Sequence, residues 1–342
     1  MKVPDGRLSP DSELIFGLGK EAREKHINWL IQVPKRRQPD SDDLAEHDQF
    51  LPSGDLESSV GSFSSTSSAV SCASRSYHCF DMSRQNLINQ LTTSPETRFH
   101  AAWMFLRFHL LLGPKRPLQS ATDEQPASHD SAKTWDITLA TLAISVKFHR
   151  DFLFPLAPIE AADYMDISPH GMSYEDFEHA QRTVLNTFSY ELGITPQPLL
   201  DQIRIALPSL QELLDFEGGW NQVQKETWRL LFGSLYAPDV MQFSVSVLTT
   251  TALTTTLVFV LAQYRYYKSD WNDFFNFTSS ADQGQEGLGI PKKFGIAAKE
   301  DAEGVILDIL STVGVSEVSH LTPHQTHYMT FLGGGFCLSA VV

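Results

Sequence analysis

Few residues of this chain have a type and spacing that could carry out a reaction. His149, His170 and His179 lie within one stretch, but their spacing fits no pair of metal ligands on a helix. The stretch Gly17-Leu18-Gly19-Lys20 lacks the spacing of a phosphate-binding loop, and no dinucleotide, zinc-protease or serine-hydrolase motif occurs. We therefore expect a protein that is not an enzyme and that needs no cofactor and no metal.

The amino-acid composition limits which classes of partner the protein could bind and in which cellular compartment it could occur. A net charge of −15 argues against nucleic acid or an anionic membrane as the main partner. Cys72, Cys79 and Cys337 have neither disulfide parity nor metal-ligand spacing, and no signal peptide is visible. These features predict a reducing compartment, the nucleus and/or the cytoplasm. The basic cluster Lys35-Arg36-Arg37 could serve in nuclear import or be an ordinary solvated charge run.

The segment at the centre of the chain, residues 134–152, predicts a helix that is buried on all sides. Its apolar residues cover every direction of a helical wheel, so such a helix has no wet face. A strand is the competing interpretation because several residues are β-branched, but the run is long for a buried strand. Lys147 and His149 come together at its end, where cations complement the helix dipole.

A short helix and an amphipathic helix should follow this core helix. Pro158 suits the first turn of a short helix through Met165, and Ser173-Tyr-Glu-Asp176 is typical of a capping box. The helix that starts there is predicted to end at Gly193. Its apolar face comprises Phe177, Ala180, Val184, Leu185 and Phe188.

This order of elements resembles the second half of a cyclin box. The core helix ends in Ser-Val-Lys-Phe and the amphipathic helix closes on Leu-Asn-Thr-Phe-Ser-Tyr-Glu-Leu, where the family has Ala-Ser-Lys-Phe-Glu-Glu and Leu-x-Phe-Asp-Leu. The first two helices of the family have the patterns Arg-x-x-Leu-x-Asp-Trp-Leu and Leu-Asp-Arg-Phe-Leu. The residues that keep them are Arg84, Leu87, Leu91, Arg107 and Phe108.

In its first two helices, the chain also departs from the family at three positions. Leu106 stands where the family has the aspartate that pairs with its first-helix arginine. Ser83 and Gln90 occupy the places of the methionine and tryptophan of the substrate-docking groove of cell-cycle cyclins. The resemblance therefore does not extend to that groove.

By resemblance, the fold class is all-α: a five-helix cyclin box over residues 81–195, followed by a degenerate second cyclin-like helical domain over 196–316. Residues 1–80, acidic and serine-rich, and 317–342 are expected to be disordered tails. Residues 1 to about 78 are then expected to be dispensable for folding, although Gly19 to Val33 could form a nascent or a docked helix. The polar stretch 113–133 is expected to be a surface connection.

The function implied by the resemblance is that of a regulatory subunit that binds a cyclin-dependent protein kinase and positions its mobile helix. In the family, the lysine matching Lys147 and a glutamate, here Gln181, hydrogen-bond the kinase backbone. We expect one partly exposed apolar patch with a polar rim; the competing expectation is that Phe148 and Leu185 are fully buried. The predicted partner-binding residues are Lys147, Phe148, Gln181, Arg182, Leu185, Tyr190 and Leu192.

Two alternatives remain open at this stage. The first is a scaffold or transcription-associated module that keeps the fold without activating a kinase. The second is a membrane-anchored protein, because residues 241–264 are apolar and long enough to span a bilayer. Threonines within the segment and the lack of a flanking basic cluster favour a buried helix of the second domain instead.

Overall fold

The computed structural model describes residues 18–32, 85–112, 128–149, 159–237, 239–274 and 290–314. All regular secondary structure in these ranges is helical, and they contain no strand, which confirms the all-α class. Several predictions lie outside the described residues: the tails over 33–80 and 317–342, the basic cluster at Lys35, the helix start at Pro158, and the family positions Ser83 and Arg84.

The helices agree with the sequence predictions in type and differ from them in their ends. In chain order they are α1 Lys20–Ile31, α2 over 85–93, α3 Pro95–Leu112, α4 Ser128–Phe148, α5 Ala161–Ile167, α6 Tyr174–Thr187, α7 Pro196–Ala206, α8 Pro208–Leu213, α9 Gly219–Ser234, α10 Val245–Phe274 and α11 Lys292–Val313. Helix α4 begins inside the stretch predicted to be a surface connection, and α5 begins after Glu160, whose backbone N–H donates to Asp163 Oδ2 at 2.8 Å.

The chain divides into two compact units. Unit I comprises Asn28–Phe105 and Pro117–Tyr190, and unit II comprises Met1–Ile27, Leu106–Arg116 and Glu191–Val342. The core of unit I is built around α4, which packs against α6. Leu139 to Val146 are buried without interruption, which confirms that this helix has no wet face along its centre.

Helix α6 begins where its capping sequence predicts. Ser173 is the N-cap, and its hydroxyl oxygen accepts a hydrogen bond of 3.1 Å from the backbone N–H of Asp176. The stripe predicted to face the core is buried: Phe177, Ala180, Val184 and Phe188. The prediction that α6 extends to Gly193 is wrong, because the helix ends at Thr187 and Ser189 and Tyr190 then adopt left-handed backbone angles with φ of 52° and 63°.

The centre of unit II is α10, which packs against α7, α9 and α11. Four of its threonines donate to backbone carbonyl groups within the helix, and Thr256 Oγ1 also lies 2.8 Å from Thr227 Oγ1 on α9. Among the described helices, α10 is long and apolar enough to cross a membrane over Val245–Ser269, with a mean hydropathy of 1.9. Within the fold, 61 % of that window is buried, and the choice between a buried helix and a membrane segment stays a prediction.

Helix α1 lies in the segment predicted to be a tail. Ile27 and Leu30 have no exposed surface, and Ile31 O accepts a 2.7 Å hydrogen bond from Arg98 Nη1. The ring of Trp29 makes an edge contact with Trp135 on α4, with centroids 5.6 Å apart. Of the two forms left open for Gly19 to Val33, the structure has the docked helix, because these side chains have packing partners that are distant in sequence.

Candidate partner-binding site

The end of α4 brings a lysine and a phenylalanine to the surface of unit I. Val146 is fully buried, whereas Lys147 is exposed and Phe148 is 49 % exposed. The last carbonyl groups of a helix lack partners within it. Here Gln90 Nε2, on α2, donates to Val146 O at 3.1 Å, so the residue at the family's groove-tryptophan position caps α4 instead.

Lys147 is joined to α6 by a hydrogen bond. Its Nζ donates to Gln181 Oε1 at 2.7 Å, and Gln181 Nε2 donates to Phe177 O at 3.4 Å. Partial burial of the ammonium group lowers the pKa of Lys147, and the charge of Glu178 opposes that shift. The cation is therefore positioned beside α6, and no carboxylate of the described residues is bonded to it.

The remaining predicted residues follow along α6. Arg182 is exposed, and its Nη2 lies 3.5 Å from Glu178 Oε2. Leu185 is partly exposed, one turn after Gln181. Tyr190 is 68 % exposed, and its backbone N–H donates to Leu185 O at 2.9 Å, so it lies at the C-terminal cap of α6.

Six of the seven predicted residues thus lie in unit I, on the end of α4 and along α6. Leu192 belongs to unit II, and the site is described without it. Phe148 and Leu185 both retain solvent-accessible surface, so the competing expectation of two fully buried side chains does not hold. Gln181 differs from the rest because it is only 6 % exposed.

Two histidines, His100 and His149, pack against the ring of Phe148. This pair was not predicted from the sequence. His149 Nε2 lies 3.0 Å from His100 Nδ1 on α3, and the rings of both histidines contact Phe148 edge-on with centroids about 5 Å away. Burial, followed by the neighbouring His100, lowers the pKa of His149 to about 4, so His149 is neutral at pH 7. His100 is buried on the core side of α3. Its place within the apolar pattern of that helix was the one signal in the sequence that could have predicted this burial.

A second missed cluster contains a hydroxyl, an imidazole and a carboxylate in a row. Ser168 Oγ lies 3.0 Å from His170 Nδ1, and His170 Nε2 lies 2.7 Å from Asp136 Oδ1 on α4. This order of groups occurs in nucleophilic catalysis, but Ser168 is 2 % exposed, so a substrate does not reach its hydroxyl. The cluster ties the loop between α5 and α6 to α4.

Within the described ranges, no three His, Cys, Asp or Glu side chains are close enough to share a metal ion. The end of α4 and the neighbouring α6 carry one held cation, one exposed ion pair and exposed aromatic surface. Compared with known proteins, the chain matches no family, no curated protein and no solved structure.

Proposed function

We propose that this protein is a non-enzymatic regulatory subunit of the cyclin type, which binds a cyclin-dependent protein kinase through the surface at the end of α4 and along α6. The observation that carries the proposal is the hydrogen bond of 2.7 Å between Lys147 Nζ and Gln181 Oε1, beside the half-exposed ring of Phe148. These are the positions at which the family resemblance implies kinase contacts. The compartment that we expect remains the nucleus and/or the cytoplasm.

The helix pattern supports this proposal at a coarser level. The described residues contain five α-helices from 85 to 187 and five from 196 to 313, the number that the resemblance implies for each of two domains. The central helix of the first group is α4, which is buried from Thr138 to Val146 and surfaces at Lys147-Phe148.

The physical basis of activation is the placement of one kinase helix. Phosphoryl transfer needs a glutamate on that helix to pair with the phosphate-binding lysine, and a partner that binds only this arrangement shifts the kinase toward it. Phe148 and Tyr190 offer apolar surface for such a contact, and Lys147 and Arg182 offer charged hydrogen-bond donors at its rim.

Co-expression of the full chain with each member of a panel of cyclin-dependent kinases tests the proposal. We expect one kinase to co-purify, and Lys147→Ala to weaken its binding at least tenfold because a charge-assisted hydrogen bond to the kinase is lost. Lys133→Ala is the matched control, because Lys133 is exposed on the same helix, near its other end. Failure of every kinase to bind would overturn the proposal.

The kinase activity of the same complexes distinguishes the proposed activating subunit from a second candidate. That candidate is a binding module of this fold that activates no kinase. The presence of Gln181 in place of the family's glutamate favours this candidate, because a neutral amide gives the interface no carboxylate. A kinase that co-purifies but stays as inactive as the isolated enzyme would support the second candidate.

A further inference from the structure

Gln181 differs from its neighbours on the proposed binding surface because it is buried. Only 6 % of the residue is exposed, whereas Lys147 and Arg182 on either side of it are exposed. A residue with so little accessible surface has almost no area to offer a partner. Its role must therefore be sought in its contacts within unit I.

Both ends of the Gln181 amide are already engaged inside the protein. A lysine ammonium group has donors and no acceptor, so the atom that faces Lys147 Nζ at 2.7 Å is the carbonyl oxygen Oε1. The amide nitrogen Nε2 then faces Phe177 O, one turn earlier on α6, at 3.4 Å. Oε1 is thus committed to Lys147 and Nε2 to the backbone of its own helix.

This engagement restricts the position of the Lys147 ammonium group. A lysine side chain is long and flexible, and ordering it on binding costs free energy. The bond to Gln181 orders it before a partner arrives and uses one of its three N–H donors. Two donors remain for an acceptor outside the protein.

We propose that Gln181 is a positioning residue: it holds Lys147 Nζ at the surface for a hydrogen-bond acceptor of the partner, and it makes no contact with the partner itself. The identity of the partner rests on the proposed function, but the placement of Lys147 is a property of the free protein. The two parts are therefore measured separately.

Acetylation with acetic anhydride, followed by peptide mass spectrometry, measures the placement on the full chain. Gln181→Leu removes the acceptor that favours the charged ammonium, so more Lys147 is neutral and free to react, and its acetylation rate should rise about three- to tenfold. Gln181→Glu keeps an acceptor and adds a charge, so the rate should fall below that of the wild type. Lys133 on the same helix is the internal reference and should react equally in all three proteins.

The order of these rates decides the placement. Equal rates at Lys147 in the three proteins would overturn the proposal. Should Gln181→Leu fail to fold, the Gln181→Glu protein still decides it, since a slower rate supports the placement and an unchanged rate overturns it.

A double-mutant cycle with the co-purifying kinase tests the absence of direct contact. Gln181→Leu should weaken binding in the wild-type chain, but should have no further effect in the Lys147→Ala chain, because its role acts through the lysine. If the losses of kinase affinity caused by the two substitutions are additive, Gln181 contacts the partner, and the proposal that it makes no direct contact is overturned. If no kinase binds the wild-type chain, the proposed function fails, and the acetylation order alone decides the positioning role.

Discussion

Ser145 Oγ, in the last turn of α4, donates a hydrogen bond of 2.7 Å to the backbone carbonyl oxygen of Thr97 on α3, and both residues are buried. We expect Ser145→Ala to lower the free energy of unfolding by about 1 kcal/mol, because a buried hydrogen bond is lost. Ser145→Leu should cost more, about 1–3 kcal/mol beyond the lost bond, because the added methylene groups overpack the contact between the helices.

Urea unfolding measures both effects. Thr183→Ala is the control, because it removes a hydroxyl that is bonded within α6 to His179 O on the outer side of that helix, and it should stay within about 0.5 kcal/mol of the wild type. If Ser145→Ala and Thr183→Ala lower the free energy of unfolding equally, the hydrogen bond between α3 and α4 contributes no more to stability than the bond within α6.

His170 and Asp136 hold the loop before α6 in place. Their side chains are about one-fifth exposed, and His170→Ala should therefore lower the free energy of unfolding by only about 1 kcal/mol. The local effect should be larger: hydrogen exchange at the first turn of α6 should accelerate, because that loop loses its connection to α4. Glu175→Gln, at an exposed position of the same turn, should leave the exchange rates unchanged.

Stability should depend on pH through two buried histidines. Burial lowers the pKa of both His26 and His149 from 6.5 to about 4, with Lys25 and His100 as the respective second causes. Between pH 6.5 and 4 the unfolded chain therefore binds more protons than the folded one, so this contribution is complete above pH 6.5 and is lost as the pH falls toward 4. The loss from pH 7 to pH 5 should be at most about 2 kcal/mol for each histidine.

Urea unfolding at pH 7 and at pH 5 checks this dependence. His26→Gln and His149→Gln should each reduce the difference between the two pH values, whereas His179→Gln, at an exposed position, should not. A stability that stays constant, or that rises as the pH falls, would contradict the prediction.

Helix α1 should contribute to stability, contrary to the expectation from sequence that residues 1 to about 78 are dispensable. Leu30 has no exposed surface, and Leu30→Ala should lower the free energy of unfolding by about 2–4 kcal/mol. A chain that starts near Tyr77 lacks the helix and should melt at a lower temperature than the full chain. Glu21→Ala, on an exposed position of α1, should have no effect; an unchanged melting temperature on truncation would mean that α1 is not docked.

Phe148 should matter for binding more than for folding. The ring is 49 % exposed and contacts His100 and His149 only edge-on, so Phe148→Ser should lower the free energy of unfolding by about 1 kcal/mol. Binding of the co-purifying kinase should weaken at least tenfold, because an exposed aromatic side chain at the centre of an interface is a typical hot spot. Tyr174→Ser removes an exposed aromatic side chain from the start of α6 and should leave the affinity unchanged.

Several features of the fold could be predicted from the sequence because they depend on residues that are close along the chain. The burial of α4 follows from apolar residues on every side of one helix. The start of α6 follows from the capping hydroxyl of Ser173, and its core stripe from the spacing of Phe177, Val184 and Phe188. The all-α class follows from the same local patterns.

Helix ends were less predictable because long-range contacts and backbone geometry compete with local signals. Helix α6 stops at Thr187, where Ser189 and Tyr190 take left-handed angles that the sequence assigns more readily to Gly193. The amphipathic run from Leu199 to Leu214 is divided between α7 and α8, since Pro208 lacks the N–H that would continue the first helix. Residues 268–299 show no helical period, yet α10 extends to Phe274 and α11 begins at Lys292.

The sequence by itself determined that Lys147 and Phe148 emerge at the end of a core helix, because the apolar pattern stops there. Only the tertiary structure decided that Gln181 is buried and bonded to Lys147, that His100 and His149 lie behind Phe148, and that α1 is docked. Periodicity and capping act over one or two helical turns. Contacts such as that between Lys147 and Gln181, 34 residues apart, depend on how whole helices pack, and no local pattern encodes that packing.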